Sequence, residues 1–163
     1  RQKAKDNYSV NTDVEEDKRV IGELLKRDID MEERKKNYEI LLSLGYYAAW
    51  ADGALQQEEL ECIQASQEDL GITLPDYTNQ NNLPDWLALI SQIKERNLVS
   101  QAIDFSIQII SANGENCSEE IQFISKLCDD LSIKQDLKED ILTFLKLNTE
   151  RTRTWNSIKS NIF

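Results

Sequence analysis

The chain has 163 residues, 40% hydrophobic and 30% charged, which suits one globular domain that buries roughly 70% of its unfolded surface. Thirty acids against 19 bases give a formal charge of −11, and there is no histidine. That excludes the usual general base, the Ser-His and Cys-His nucleophile pairs and any histidine-bearing zinc site. No apolar run approaches the ~18 residues of a membrane span and the polar N-terminus has no signal-peptide core, so direct membrane insertion is not expected.

Residues 1–13 mix charges with almost no apolar content and are expected to form a flexible tail. From Val14, the positions Val14, Ile21, Leu24, Leu25 and Ile29 recur at helical spacing, and Asp30-Met31-Glu32-Glu33 is expected to break that helix. A second helix from about Glu33 to Ala51 carries Gly45, Ala48 and Ala49, small residues that let another helix approach closely. Asp52-Gly53 ends it, and a third helix begins near Gln57 and stops at Gly71-Ile72. Thr73 to Pro84 is rich in Asn, Gln and Pro, fits no period and is expected to be a seam with few anchors.

After the seam, Pro84-Asp85 opens a helix to about Glu95, and Asn97 is the expected cap of the next. That helix has apolar residues on more than one face, from Leu98 to Ile110, and should be central and buried. Ser118 is the expected N-cap of a helix through Leu131. A last helix covers about Gln135 to Leu147, and Trp155, Ile158 and Ile162 predict a further short docked helix. No stretch alternates with period two, so the chain reads as all-α. Cys62, Cys117 and Cys128 lack CxxC spacing and read as reduced packing residues, which fits a cytoplasmic protein.

One stretch occurs twice. Ala51-Asp52-Gly53-Ala54-Leu55-Gln56-Gln57-Glu58-Glu59-Leu60 returns 61 positions later as Ala112-Asn113-Gly114-Glu115-Asn116-Cys117-Ser118-Glu119-Glu120-Ile121. Across residues 51–72, Ala51, Gly53, Glu58, Glu59, Ile63, Asp69, Leu70 and Ile72 recur identically without a gap. Two copies are too few for a solenoid and imply a duplicated half-domain. The domain is expected to run over 14–163, with halves 14–72 and 84–133 related by a pseudo-two-fold rotation and followed by the helix at 135–147 and its tail. The charge is uneven too: Ile40 to Ile93 holds eight acids and no Lys or Arg. Such a segment repels nucleic acid and attracts cations or a basic partner.

Within each repeat, a helix ends, a tight loop follows and the next helix opens on adjacent carboxylates. Oxygen donors converging on a loop suit Ca²⁺ or another hard divalent cation. The loop is too short for an EF-hand and lacks its D-x-D-x-D-G run, so a cation site has to draw on both halves. The structural alternative is that Asp-Gly punctuates a helix end and the glutamates only complement a helix dipole.

A helix ending in small residues, then A/S-D-G, four residues, E-E or E-K and an aliphatic amphipathic helix resembles the tellurite-resistance protein TerB family. The resemblance covers roughly Lys36–Ile72 and Asn97–Ile133. It implies an all-helical domain of about seven helices with the motif twice, in a stress-response protein. By that resemblance the acidic positions are Asp52, Glu58 and Glu59 in the first copy and Glu119 and Glu120 in the second, where Asn113 replaces the expected Asp. Asn113 keeps a carbonyl ligand but no charge, which implies that the first loop is the stronger site. TerB-like domains also occur in membrane-associated co-chaperones, so a protein partner, in a membrane-associated complex or outside one, is implied as well. Two readings stay open: a non-enzymatic domain that binds divalent cations or docks a partner, and a metal-independent adaptor whose acidic surface binds a basic partner. Paired carboxylates also serve acid-base chemistry, but no nucleophile motif or phosphate loop accompanies them.

Overall fold

Apolar residues recur at helical spacing on either side of the seam, and the described residues contain six α-helices, one 3-10 turn and no strand. The computed structural model describes residues 2–162, with side chains from Val14 onward. The helices are α1 (Gln2–Ala49), α2 (Gln57–Leu70), α3 (Trp86–Ser91), α4 (Arg96–Ile110), α5 (Ser118–Asp130) and α6 (Gln135–Ile162), with the 3-10 turn at Gln80–Asn82. By compactness the chain divides into Arg1–Asn37 and Tyr38–Phe163. Among the described residues, no helix is long and apolar enough to cross a membrane.

The first unit corrects one expectation. Asp30-Met31-Glu32-Glu33 does not interrupt α1, because the stretch has neither Pro nor Gly and Met and Glu are good helix formers. The backbone is already helical at Gln2, inside the stretch expected to be a tail; whether it is flexible there lies outside the described side chains. From Val14 to Lys36 every side chain is exposed, the stripe Val14, Ile21, Leu24, Leu25 and Ile29 included. Arg19 lies 2.6 Å from Glu16 and 3.0 Å from Glu23, exposed pairs that each stabilise a helix by only a few tenths of a kcal/mol. The residues from Tyr38 onward form the second compact unit.

In the second unit the core draws on every helix. Ile40, Leu42, Leu44, Ala48 and Ala49 of α1, Ile63 of α2, Ile109 and Ile110 of α4, Ile124 and Leu127 of α5 and Leu145 of α6 are all at most 5% exposed. As its two-sided apolar pattern requires, α4 is central, with Leu98, Ala102, Ser106, Ile109 and Ile110 buried. Gly45 explains how α1 comes so near: a Cβ there would sit 2.7 Å from Cε2 of Phe105 on α4. Alanine at Gly45 therefore sets a helix-propensity gain of about 1 kcal/mol against an overpacking cost of about 1–3 kcal/mol. We expect Gly45→Ala to lose stability in the native chain and to gain it when Phe105→Leu has cleared the space. Urea unfolding of the four-member mutant cycle checks this, and equal effects of Gly45→Ala in both backgrounds would contradict the contact.

The remaining departures have local causes. Residues 92–95 separate α3 from α4, so α3 is a single turn and a half, capped by Asp85 Oδ2 accepting from Ala88 N–H at 3.0 Å. The N-cap of α4 is Glu95 instead of Asn97, and that of α5 is Cys117 instead of Ser118. In place of a separate docked piece, α6 continues to Ile162 with Trp155, Ile158 and Ile162 exposed, since nothing between Leu147 and Trp155 breaks a helix. Counting the 3-10 turn apart, the described residues form six helices where about seven were expected.

The seam has more anchors than its composition suggests. Tyr77 is 7% exposed and its carbonyl accepts from Trp50 Nε1 at 3.0 Å. The Tyr47 hydroxyl donates to the Pro84 carbonyl, and Asn82 Nδ2 donates to the Asp76 carbonyl at 3.0 Å. Trp86 of α3 stacks edge-on between Tyr47 of α1 and Phe123 of α5, under the Lys126 ammonium. Three free cysteines complete the inventory: Cys128 is buried, and Cys62 and Cys117 are half-buried.

Candidate functional site in the paired acidic loops

The two copies of the repeated stretch make the same backbone bonds. Gly53 N–H donates to the Trp50 carbonyl and Gly114 N–H to the Ser111 carbonyl, both at 2.9 Å. Asp52 Oδ1 accepts from Ala54 N–H and Asn113 Oδ1 from Glu115 N–H, both at 3.1 Å, and Gly53 and Gly114 share φ = 84°. That left-handed value suits glycine, which has no Cβ to clash. Both helices also end alike. Gly71 and Ser132 take φ = 64° and 58°, and Ile72 and Ile133 N–H reach back to the Gln67 and Cys128 carbonyls.

A glutamine joins the loops. Gln56 Nε2 donates to Asp52 Oδ2 at 3.2 Å, and Asn113 Nδ2 donates to Gln56 Oε1 at 3.0 Å. Asp52 and Asn113 thus meet through one side chain, which brings the two loops together. Gln56 was not foreseen in this role. Its counterpart in the repeat is Cys117, so nothing in the repeat itself marks it.

The adjacent glutamates separate. Glu58 and Glu119 are exposed, whereas Glu59 is 0% and Glu120 is 2% exposed. Neighbours on a helix point about 100° apart, so only one of each pair faces the core. The sequence held a signal for which one: Glu59 stands four residues before Ile63 and Glu120 four before Ile124, on the stripe of each helix's most buried apolar residue.

The two buried carboxylates are not equivalent. Glu120 Oε1 accepts from Cys117 N–H at 3.0 Å, the return half of a capping box, and only its Oε2 lacks a partner. Both oxygens of Glu59 are shielded from solvent and accept no hydrogen bond from the described residues. Burial, followed by the charges of Glu120, Asp52 and Glu58, pushes Glu59 up to about 8. Burial also raises Glu120, against the hydrogen bond from Cys117 and with the charges of Asp52 and Glu119. Its own backbone N–H, then the Cys117 thiol and the Ser118 hydroxyl, instead hold the exposed Glu119 below its ordinary value. Burial pushes the Cys117 thiol up to about 12, which leaves it protonated and a poor nucleophile.

Further support differs between the loops. Thr149 of α6 accepts from Asn116 N–H at 3.3 Å, and its Thr152 Cγ2 would lie 3.2 Å from a Cβ at Gly114. Among the described residues, no group of three or more His, Cys, Asp or Glu is gathered closely enough to hold a metal ion as it stands. Cavities lie elsewhere: one of about 640 Å³ runs along α6 beside Arg151 and Trp155, and one of about 540 Å³ lies at the C-terminal end of α2. Compared with known proteins, the chain matches no family model, no curated protein and no solved structure.

Proposed function

We propose that residues 38–163 form a TerB-like, non-enzymatic stress-response domain of the cytosol, in which the two acidic loops together take a weakly bound divalent cation. The observation that supports this is the Glu59 carboxylate, fully buried with both oxygens unpartnered, beside Glu120 with one oxygen in the same state. An ionised carboxylate in that position is costly unless something neutralises it. A proton serves alone; Ca²⁺ or a similar cation serves as well and also uses Asp52 and the loop carbonyls as oxygen donors. Because the acids are not gathered beforehand, they have to draw together on binding, so an affinity near 10⁻⁴–10⁻³ M, roughly that of weak extracellular calcium modules, is expected. The matched backbone bonds of the loops support a pseudo-two-fold relation between the halves. The other reading, a metal-independent adaptor for a basic partner, draws on the run from Ile40 to Ile93 with eight acids and no Lys or Arg.

Calorimetric titration of the whole chain with Ca²⁺, Mg²⁺ and Mn²⁺, together with melting curves, separates the two. At tenfold excess over the dissociation constant the wild type should gain about 4 °C in Tm. Glu59→Gln with Glu120→Gln should lose both heat and shift, whereas Glu58→Gln with Glu119→Gln, exposed in the same turns, should keep most of each. Equal shifts in the wild type and the buried-pair variant would remove the loops as the cation site and leave the adaptor ahead.

A further inference from the structure

The cleft of about 540 Å³ at the C-terminal end of α2 uses none of the residues of the acidic loops. Tyr46 of α1, Gln64, Gln67 and Glu68 of α2, and Asp76 and Tyr77 of the seam all face it. Tyr46 and Tyr77 are 5% and 7% exposed and stack edge-to-face with centroids 5.5 Å apart. No described residue hydrogen-bonds either phenol hydroxyl, and neither oxygen is among the fully shielded polar atoms, so both open on the cleft. Burial, then the Asp76 charge, raises the Tyr46 phenol, which keeps it neutral.

The charges around the cleft run against local preference. The last turn of α2 contains no base and carries Glu68 and Asp69, although the C-terminal end of a helix is the negative pole of its dipole and favours cations. No Lys or Arg lies between Ile40 and Ile93 to compensate, and no ion pair engages Glu68, Asp69 or Asp76 among the described residues. Asp76 is fixed in place by accepting from Thr78 N–H and from the Thr78 hydroxyl. The lining therefore offers hydrogen-bond acceptors without any competing cation.

We propose that this cleft binds a guanidinium or ammonium group, presented by an arginine or lysine side chain of a basic partner segment. A guanidinium brings five donors and no acceptor, which complements two carboxylates, two phenol oxygens and two side-chain amide oxygens. A nucleic acid would be repelled by the same charges. The inference is independent of the cation site in the loops and gives the docking of a basic protein a definite address.

The test is fluorescence anisotropy of a labelled alternating Arg-Gly peptide titrated with the full chain at low and physiological salt. Glu68→Gln with Asp76→Asn should weaken binding by about tenfold more than Glu139→Gln with Asp140→Asn, exposed acids of α6 outside the cleft that remove the same charge. Glu68→Gln alone, at an exposed residue with no hydrogen bond to lose, should account for at least about threefold and guards against misfolding of the double variant. Glu59→Gln should bind the peptide like the wild type, which keeps this result separate from the fate of the loops. Millimolar arginine ethyl ester should compete with the peptide, and the same variants should weaken that competition; peptide binding without any competition would overturn the proposal. Equal weakening by the cleft and α6 variants, or no loss in Glu68→Gln, would overturn the proposal, because binding would then follow overall charge alone.

Discussion

Glu59→Gln is expected to stabilise the domain at pH 8 by about 2–4 kcal/mol and to change it little near pH 4.5, judged from linkage with some allowance for relaxation. The sign follows from which state holds the proton. Glu59 has its ordinary value of 4.5 in the unfolded chain and about 8 in the folded one. Below 4.5 both states are protonated and the contribution is complete; between 4.5 and 8 only the native state keeps the proton, so stability falls as pH rises, by roughly 1.4 kcal/mol per unit at most. Glu120 is raised as well and adds to the fall. Glutamine keeps the shape without the charge, so the variant's profile should be flatter. Urea midpoints followed by circular dichroism from pH 4.5 to 8.5 measure this. Parallel profiles for wild type and variant would mean that Glu59 carries no charge penalty. Millimolar Ca²⁺ at pH 8 should recover part of the wild-type loss and none of the variant's if the loops take a cation.

Ile63→Ala and Ile124→Ala should each cost about 2–5 kcal/mol, the range for large-to-small changes in a packed core. Both side chains are 0% exposed, and both sit four residues after a buried glutamate. The two losses should agree within about 1 kcal/mol if the halves pack alike, given the usual spread of such sites. Leu24→Ala, on the exposed stripe of α1, should stay within about 0.5 kcal/mol of the wild type. Urea unfolding monitored by the tryptophans reads all three. A loss at Ile63 several-fold different from that at Ile124 would count against a pseudo-two-fold core.

What the sequence discloses here depends on whether the cause is local. The bounds of α2 are legible because Gly71 ends it in the left-handed conformation, and the loop turns are legible because Asp52 and Asn113 bond two residues ahead. The lengths of α1 and α6 are not: a weak stop such as Asp30-Met31-Glu32-Glu33 costs too little to end a helix, and no apolar period decides otherwise. The anchoring of the seam escapes notice because Tyr77 and Trp50 lie 27 positions apart and meet only in the fold. All six candidate ligands fall at or beside the loops, yet only Asp52 and Asn113 are joined, through Gln56, and only Glu59 and Glu120 are buried. Glu58 and Glu119 look identical to their neighbours in a linear reading, and burial alone tells them apart.

The Gln56 bridge changes what the asparagine at position 113 means. An amide has a head and a tail: once Asp52 claims the –NH₂ end, only the oxygen is left, and whatever faces that oxygen must donate. A second aspartate there would set carbonyl against carboxylate, so Asn113 is the matching half of a polarised connection and not an eroded copy of Asp52. Separate identical subunits meeting about a two-fold axis must carry the same residue at both equivalent positions. Copies fused in one polypeptide escape that obligation. Because both repeated stretches lie in one polypeptide, one of the two equivalent carboxylates can give way to a directional joint, an asymmetry that two identical chains meeting about a two-fold axis could not encode.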